Sequence, residues 1–104
     1  MNIHANKIVA PCVHMNGTNQ QSLLDALGNA YAALDSAYDA IRACGPNGRD
    51  YYVGTVTIEQ ATQQHMERLA AVDAVKKSIE AEMELILANE QVERSDRSSN
   101  PLRC

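Results

Sequence analysis

The fold is decided by residues 18–44, which read TNQQSLLDALGNAYAALDSAYDAIRAC. Large apolar residues recur in this stretch at alternating steps of three and four: Leu24, Leu27, Tyr31, Leu34, Tyr38 and Ile41. A row of mostly small residues runs beside them: Leu23, Ala26, Ala30, Ala33, Ala37, Ala40 and Cys44. This spacing predicts an α-helix with a wide apolar face. The small row predicts that a second helix can approach its backbone closely.

Both ends of this helix carry recognisable signals. Thr18-Asn19-Gln20-Gln21 fits a capping box, with Thr18 as the N-cap and Gln21 reaching back to it. Gly45-Pro46 cannot continue a helix and predicts its end. The first helix is therefore expected over about residues 18–44, and a connection over residues 45–56.

A second helix is predicted over about residues 57–90. Thr57-Ile58-Glu59-Gln60 forms another capping box at its start. Its main apolar row consists of Ile58, His65, Leu69, Val72, Ile79, Met83 and Ile86. Thr62 and Lys76 interrupt this row at positions where an apolar residue is expected.

The flanks complete the predicted architecture. Residues 1–17 form an extended arm that closes in an Asn16-Gly17 turn, with an edge strand at most because Pro11 interrupts it. The Ser-, Arg- and Asn-rich composition of residues 91–104 predicts a disordered tail. The fold class is all-α: a long antiparallel helical hairpin with an extended N-terminal arm, assembling into an oligomeric helical bundle.

Oligomerisation is expected because two helices cannot bury two wide apolar faces by themselves. The second helix is also predicted to be longer than the first by about two turns. Its C-terminal half is therefore expected to need a helix from another subunit, in a dimer or a larger homo-oligomer.

Composition narrows the functional classes. The net charge of −4 and the pI of about 5.2 argue against a nucleic-acid partner or a membrane surface. No apolar run is long enough to span a bilayer, and the N-terminus lacks the plan of a signal peptide. A cytoplasmic protein is expected, and its three cysteines are not expected to form disulfides in a reducing compartment.

The connection carries the best candidate site. Its stretch Pro46-Asn47-Gly48-Arg49-Asp50-Tyr51-Tyr52 holds two of the four aromatic residues in the chain. Arg49 offers a planar fork for phosphate or carboxylate, and adjacent tyrosines in an extended segment point in opposite directions. Asn47 and Asp50 suit the edges of a base or ribose, and the start of the second helix is a potential anion site. The alternative is a structural turn in which Arg49 pairs with Asp50 and the tyrosines cap the bundle.

Two residues of the second helix extend this candidate site. His65 and Arg68 lie one turn apart, within reach of a connection that folds back. His65 also falls on the apolar row, so its alternative role is that of a hydrogen-bonded core histidine.

No reaction and no cofactor can be assigned. Cys12-x-His14 offers at most two metal ligands, which is too few for a recognisable metal site. No nucleophile, base and orienting group occur together, so the chain is not expected to be an enzyme.

Residues 13–88, and above all Pro46-Asn47-Gly48-Arg49-Asp50-Tyr51-Tyr52, resemble small helical-hairpin proteins of phages and prophages. This resemblance implies a phage origin and no particular activity. More distantly, the size and plan are similar to phage anti-defence sponges. Those proteins sequester cyclic dinucleotides or cyclic ADP-ribose isomers and so silence CBASS or Thoeris immunity.

Two functions are therefore expected to compete. The first is a phage-encoded anti-defence protein that sequesters a nucleotide-derived immune signal in the host bacterial cytoplasm, without catalysis. Its ligand would be held by Asn47, Arg49, Asp50, Tyr51, Tyr52, His65 and Arg68. The alternative is a protein–protein interaction module, either an inhibitor of a host protein or a phage structural or assembly subunit.

Overall fold

The computed structural model describes residues 7–95 of the chain. Its elements are α1, Gln20–Ala43, a 3₁₀ turn, Gly48–Asp50, and α2, Ile58–Ser95. Within the described residues there is no strand, and α1 packs against α2. The predicted all-α fold with two packed helices is confirmed.

The start of α1 differs by one residue from the prediction. Asn19, not Thr18, is the N-cap, and its side-chain oxygen accepts a hydrogen bond of 2.8 Å from the backbone N–H of Ser22. Gln21 donates to Asp25 at 2.7 Å instead of reaching back to the cap. Asparagine caps at least as well as threonine, so two adjacent capping residues leave the choice open in the sequence.

The capping box at the start of α2 is confirmed in both directions. The backbone N–H of Gln60 donates to Thr57 Oγ1 at 3.1 Å, and the Gln60 side chain accepts from the N–H of Thr57 at 2.9 Å. The far end of α2 lies at Ser95, so residues 91–95 are helical rather than part of a disordered tail. The rest of the predicted tail, residues 96–104, and residues 1–6 of the arm lie outside the described part.

The register of the antiparallel pair can be read from three places. A β-carbon on Gly45 would lie 3.3 Å from His65 Nε2, and Lys76 Nζ lies 2.7 Å from Asp35 Oδ1. Further along, Tyr31 and Met83 line the same groove. The C-terminal half of α2 therefore lies along α1, and the unmatched length of α2 is its first two turns, beside the connection.

This register corrects the expectation that the C-terminal half of α2 lacks a partner within the chain. Ile86 is fully buried there. Ala74 is buried and Leu85 is half-buried, at about 100–120° around α2 from Ile86. This half of α2 is thus covered on two faces within a single chain.

The two apolar rows of α1 differ in their exposure to solvent. The large row is half-buried against α2, whereas the small row is exposed from Ala26 to Cys44. The expectation that the small row receives the second helix is therefore wrong for the helix of the same chain. In the described residues only Ala61, Leu69, Ala74 and Ile86 are buried, and none of them belongs to α1.

The described part of the arm has neither helix nor strand. Ile8, Ala10 and Val13 are half-buried while Val9 is exposed, so one side of this segment lies against other parts of the chain. The predicted turn forms, because the N–H of Gly17 donates to the carbonyl of His14 at 3.1 Å. Cys12 is disulfide-bonded, which contradicts the expectation of no disulfides.

Candidate functional site

The connection is ordered by its own backbone. Asn47 caps the 3₁₀ turn, because its side-chain oxygen accepts a hydrogen bond of 3.0 Å from the N–H of Arg49. The N–H groups of Asp50 and Tyr51 donate to the carbonyls of Asn47 and Gly48, each at 3.0 Å. Asn47 therefore has a structural role in the turn, which uses one of the acceptors proposed to read a ligand.

The apolar side chains of the connection face outward. Tyr51 is half-buried and Tyr52 is 79% exposed, although the backbone of Tyr51, with φ −126° and ψ 5°, is not extended. Val53 is 81% exposed and Val56 is 53% exposed. Contiguous exposed apolar residues are typical of a surface that meets another molecule.

The two charged residues of the connection are accessible to solvent. Arg49 and Asp50 are both exposed, and among the described side chains, those of residues 7–89, neither takes part in an ion pair. The structural alternative in which Arg49 pairs with Asp50 is therefore not realised. Arg49 keeps its five N–H donors for a carboxylate or a phosphate.

The helix start beside the connection is a poor anion site. The N–H groups of Gln60 and Ala61 are already satisfied by the side chain and the carbonyl of Thr57. Glu59 adds a negative charge in the first turn of α2. These features weaken the attraction that a free helix N-terminus would exert on a phosphate.

His65 and Arg68 occupy different surroundings. The half-buried ring of His65 packs against Gly45, at the first residue of the connection, where a glycine leaves room for it. Arg68 is exposed on α2. The structure therefore joins His65 to the base of the connection and leaves Arg68 on the outer surface of the helix.

A cluster that the sequence did not predict lies between the helices. Lys76 Nζ donates to Asp35 Oδ1 at 2.7 Å and lies 5.2 Å and 5.3 Å from the ring centroids of Tyr31 and Tyr38. These four residues are called the Lys76 cluster below. The hydrogen bond to Asp35 raises the pKa of Lys76 above its ordinary value of 10.5, although partial burial acts in the opposite direction.

Lys76, which interrupts the apolar row of α2, thus makes a contact between the two helices. Its side chain is 13% exposed, because the long stem lies along the interface while the ammonium group reaches the opposite helix. The signal in the sequence was the spacing of Tyr31, Asp35 and Tyr38 on one side of α1, facing a lysine in the other row.

A groove also lies between the two helices. Its volume is about 260 Å³, and its lining is almost wholly apolar. This glutamate groove is lined by Tyr31, Glu80, Met83, Glu84 and Leu87. None of the seven predicted site residues lines it.

Among the described side chains, no three from His, Cys, Asp or Glu lie together in a way that could hold a metal ion. No described helix is long and apolar enough to cross a bilayer.

Comparisons of the chain with protein-family models, with curated proteins and with solved structures found no match. The resemblance to phage hairpin proteins and to nucleotide sponges therefore stays a prediction.

Proposed function

We propose that this chain is a non-catalytic binding protein and that the connection is its binding surface, with a protein as the partner. One observation carries the proposal: Tyr52, Val53 and Val56 expose large apolar side chains that the hairpin does not use. Tyrosine and arginine are the residue types most often found at the energetic centre of protein interfaces. The unpaired Arg49 adds one charge that can select its partner.

The residues of this surface indicate what its partner must present. The partner would offer an apolar depression for Tyr52 and Val53, and a carboxylate within reach of Arg49. An exposed patch of this kind fits a protein surface better than a small molecule, because small ligands prefer concave sites that cover most of their area.

A second candidate is the nucleotide-derived immune signal, a cyclic dinucleotide or an ADP-ribose derivative. The exposed Tyr52 and the unpaired Arg49 favour it, since a tyrosine can stack on a base and an arginine can hold a phosphate. In this proposal the protein is phage-encoded and sequesters the signal in the host bacterial cytoplasm. His65 and Arg68 would then belong to a pocket that two chains share.

The test compares the wild type with a Tyr52→Ser, Val53→Ser variant. Both proteins are immobilised and exposed to bacterial lysate, and captured proteins are identified by mass spectrometry. The protein proposal predicts a stoichiometric partner that the wild type retains and the variant loses. A Ser36→Ala variant on the exposed side of α1 is the matched control, and it should capture the same partner.

Calorimetry with cyclic dinucleotides and ADP-ribose derivatives tests the second candidate. Binding with a dissociation constant below about 10 μM, roughly −7 kcal/mol, that is lost in Arg49→Ala would support it. If the lysate partner survives the double serine variant and no nucleotide binds, the connection is not a binding surface.

A further inference from the structure

We propose that the connection of one copy of this chain occupies the glutamate groove of a second copy, in a dimer of antiparallel hairpins related by a two-fold axis. This inference rests on the proposed function, since it takes the connection to be a protein-binding surface. It names the first partner of that surface as the chain itself.

The glutamate groove suits an occupant that carries a positive charge beside apolar side chains. Tyr31, Met83 and Leu87 supply its apolar lining, and Leu87 remains 46% exposed. Glu80 and Glu84 are exposed residues of the same groove, one helical turn apart. Among the described residues neither glutamate takes part in an ion pair.

The connection supplies that chemistry. Arg49 is exposed and has no ion-pair partner among the described side chains, and it can bind carboxylates through two parallel hydrogen bonds. Tyr52 and Val53 lie three and four residues further along and expose apolar side chains. An arginine beside two apolar side chains therefore matches two carboxylates beside an apolar groove, in both charge and polarity.

Distance prevents a chain from filling its own groove. Glu84 lies about 39 Å along α2 from Ile58, where the connection ends. Two antiparallel copies related by an axis near the middle of α2 remove this separation, because each connection then lies at the level of the other groove. Such an interface is self-complementary and closed, because the same contact is made twice.

The face of α2 between the two regions fits the same arrangement. Met66, Asp73, Lys77, Glu80 and Glu84 follow one another at steps of seven, four, three and four, so they share one face of the helix. Near the middle of this face, Lys77 and Asp73 form an ion pair of 2.9 Å. With the axis near residue 71, midway between Ile58 and Glu84, Lys77 of each copy lies at the level of His65 of the other copy and Asp73 at the level of Leu69, so no like charges of this face meet.

The test is a charge exchange followed by analytical ultracentrifugation of the full chain. The wild type is expected to sediment as a dimer, at twice the 11.4 kDa mass of one chain. Arg49→Glu alone, and Glu80→Arg with Glu84→Arg, should each raise the dissociation constant at least about tenfold, because each places like charges at both contacts. An equimolar mixture of the two variants should form a heterodimer with wild-type affinity, because both contacts regain opposite charges.

Glu67→Arg is the matched control, since Glu67 is exposed on another face of α2. It should leave the dimer unchanged, and circular dichroism should find full helix content in every variant. A wild type that is monomeric at about 100 μM overturns the inference. So does a dimer that tolerates either reversal, or a mixture that does not recover.

These outcomes separate the inference from the proposed function. If Arg49→Glu dissociates the dimer and the paired glutamate reversal does not, the groove is not the receptor, although the connection still binds a protein. If neither reversal acts but the lysate partner is lost in Tyr52→Ser, Val53→Ser, only the dimer is wrong.

Discussion

The Lys76 cluster and the connection each combine a basic side chain, an aspartate and two tyrosines. In the cluster, Lys76 reaches Asp35 at 2.7 Å and lies over both rings, so the four groups satisfy one another between the helices. In the connection, neither Arg49 nor Asp50 forms an ion pair with a described side chain, and Tyr52 faces solvent. The same residue types therefore hold the hairpin together in one region and are available to a partner in the other.

The difference arises from backbone context. Tyr31, Asp35 and Tyr38 are fixed on one side of a helix whose neighbour presents Lys76, so the four side chains converge. Residues 51–56 form bends and no regular element, so no helix or strand brings their side chains together on one face. Residue type alone does not separate a structural cluster from a binding surface, whereas the elements that carry the residues do.

The largest effect is expected in the packed region. Ile86 is fully buried, so Ile86→Ala should lower the free energy of unfolding by about 2–5 kcal/mol. Urea denaturation at a concentration where sedimentation finds single chains measures it, and Leu87→Ala is the matched control because Leu87 is 46% exposed. Equal losses for the two variants would mean that the C-terminal half of α2 is not packed as described.

A smaller loss is expected where the connection meets α2. Thr57→Ala removes the side-chain acceptor of the Gln60 N–H and should cost about 1 kcal/mol of stability. Thr55→Ala, two residues earlier in the exposed connection, should cost much less. Urea midpoints of the two variants distinguish the structural end of the connection from its exposed part, and equal midpoints would contradict this distinction.

A matched pair of alanine variants tests the comparison itself. Lys76→Ala should lower the urea midpoint, because it removes the contacts with Asp35 and both rings. Arg49→Ala should change the stability by no more than about 0.5 kcal/mol, as for an exposed residue without a partner. Both must be measured at a concentration where sedimentation finds single chains, since a dimer adds stability of its own. A larger loss for Arg49→Ala would reverse the assigned roles.

The smallest effect is a dependence on alkaline pH. The pKa of Lys76 is raised in the folded chain, so its stabilising contribution is complete below 10.5 and is lost as the pH rises through the folded-state value. The difference in urea midpoint between the wild type and Lys76→Ala should therefore shrink above pH 10.5. The hydrogen bond of Lys77 to Asp73 also raises the pKa of Lys77. The difference in urea midpoint between the wild type and Lys77→Ala over the same pH range therefore serves as the comparison. A constant difference across this range would assign the Lys76 effect to packing alone.

Much of the fold could be predicted from the sequence, because the relevant signals are local. The apolar period located α1 within one or two residues of its bounds, and the capping box at Thr57 located the start of α2. The choice between Thr18 and Asn19 as cap could not be made, since both residues are good caps. The end of α2 lies five residues beyond the prediction, because polar residues such as Gln91 permit a helix as readily as a coil.

Relations between elements were harder to predict. Two neighbouring apolar rows on α1 do not reveal which one meets α2, and the large row does. The lengths of the helices do not fix their register, so the unmatched turns of α2 were assigned to the wrong end. Lys76 was interpreted as an interruption of the apolar row. The sequence does not show that the stem of this lysine is buried while its ammonium group is paired.

The candidate site could be predicted only in part. The sequence predicted that one of the two adjacent tyrosines could face away from the bundle but not which one, and the backbone of Tyr51, with φ −126° and ψ 5°, is not the extended one that this prediction assumed. The capping role of Asn47 and the separation of Arg68 from the connection depend on the folded backbone. The glutamate groove was not predicted, because its lining comes from residues of two helices.

Native mass spectrometry of the purified chain tests the central claim, that the connection is a surface for a partner, most directly. The wild type should carry a second copy or another bound molecule, at a mass above the 11.4 kDa of one chain. A variant with Arg49→Ala, Tyr52→Ala and Val53→Ala should give the single chain alone while circular dichroism finds its helices intact. The same species in both spectra would contradict the claim.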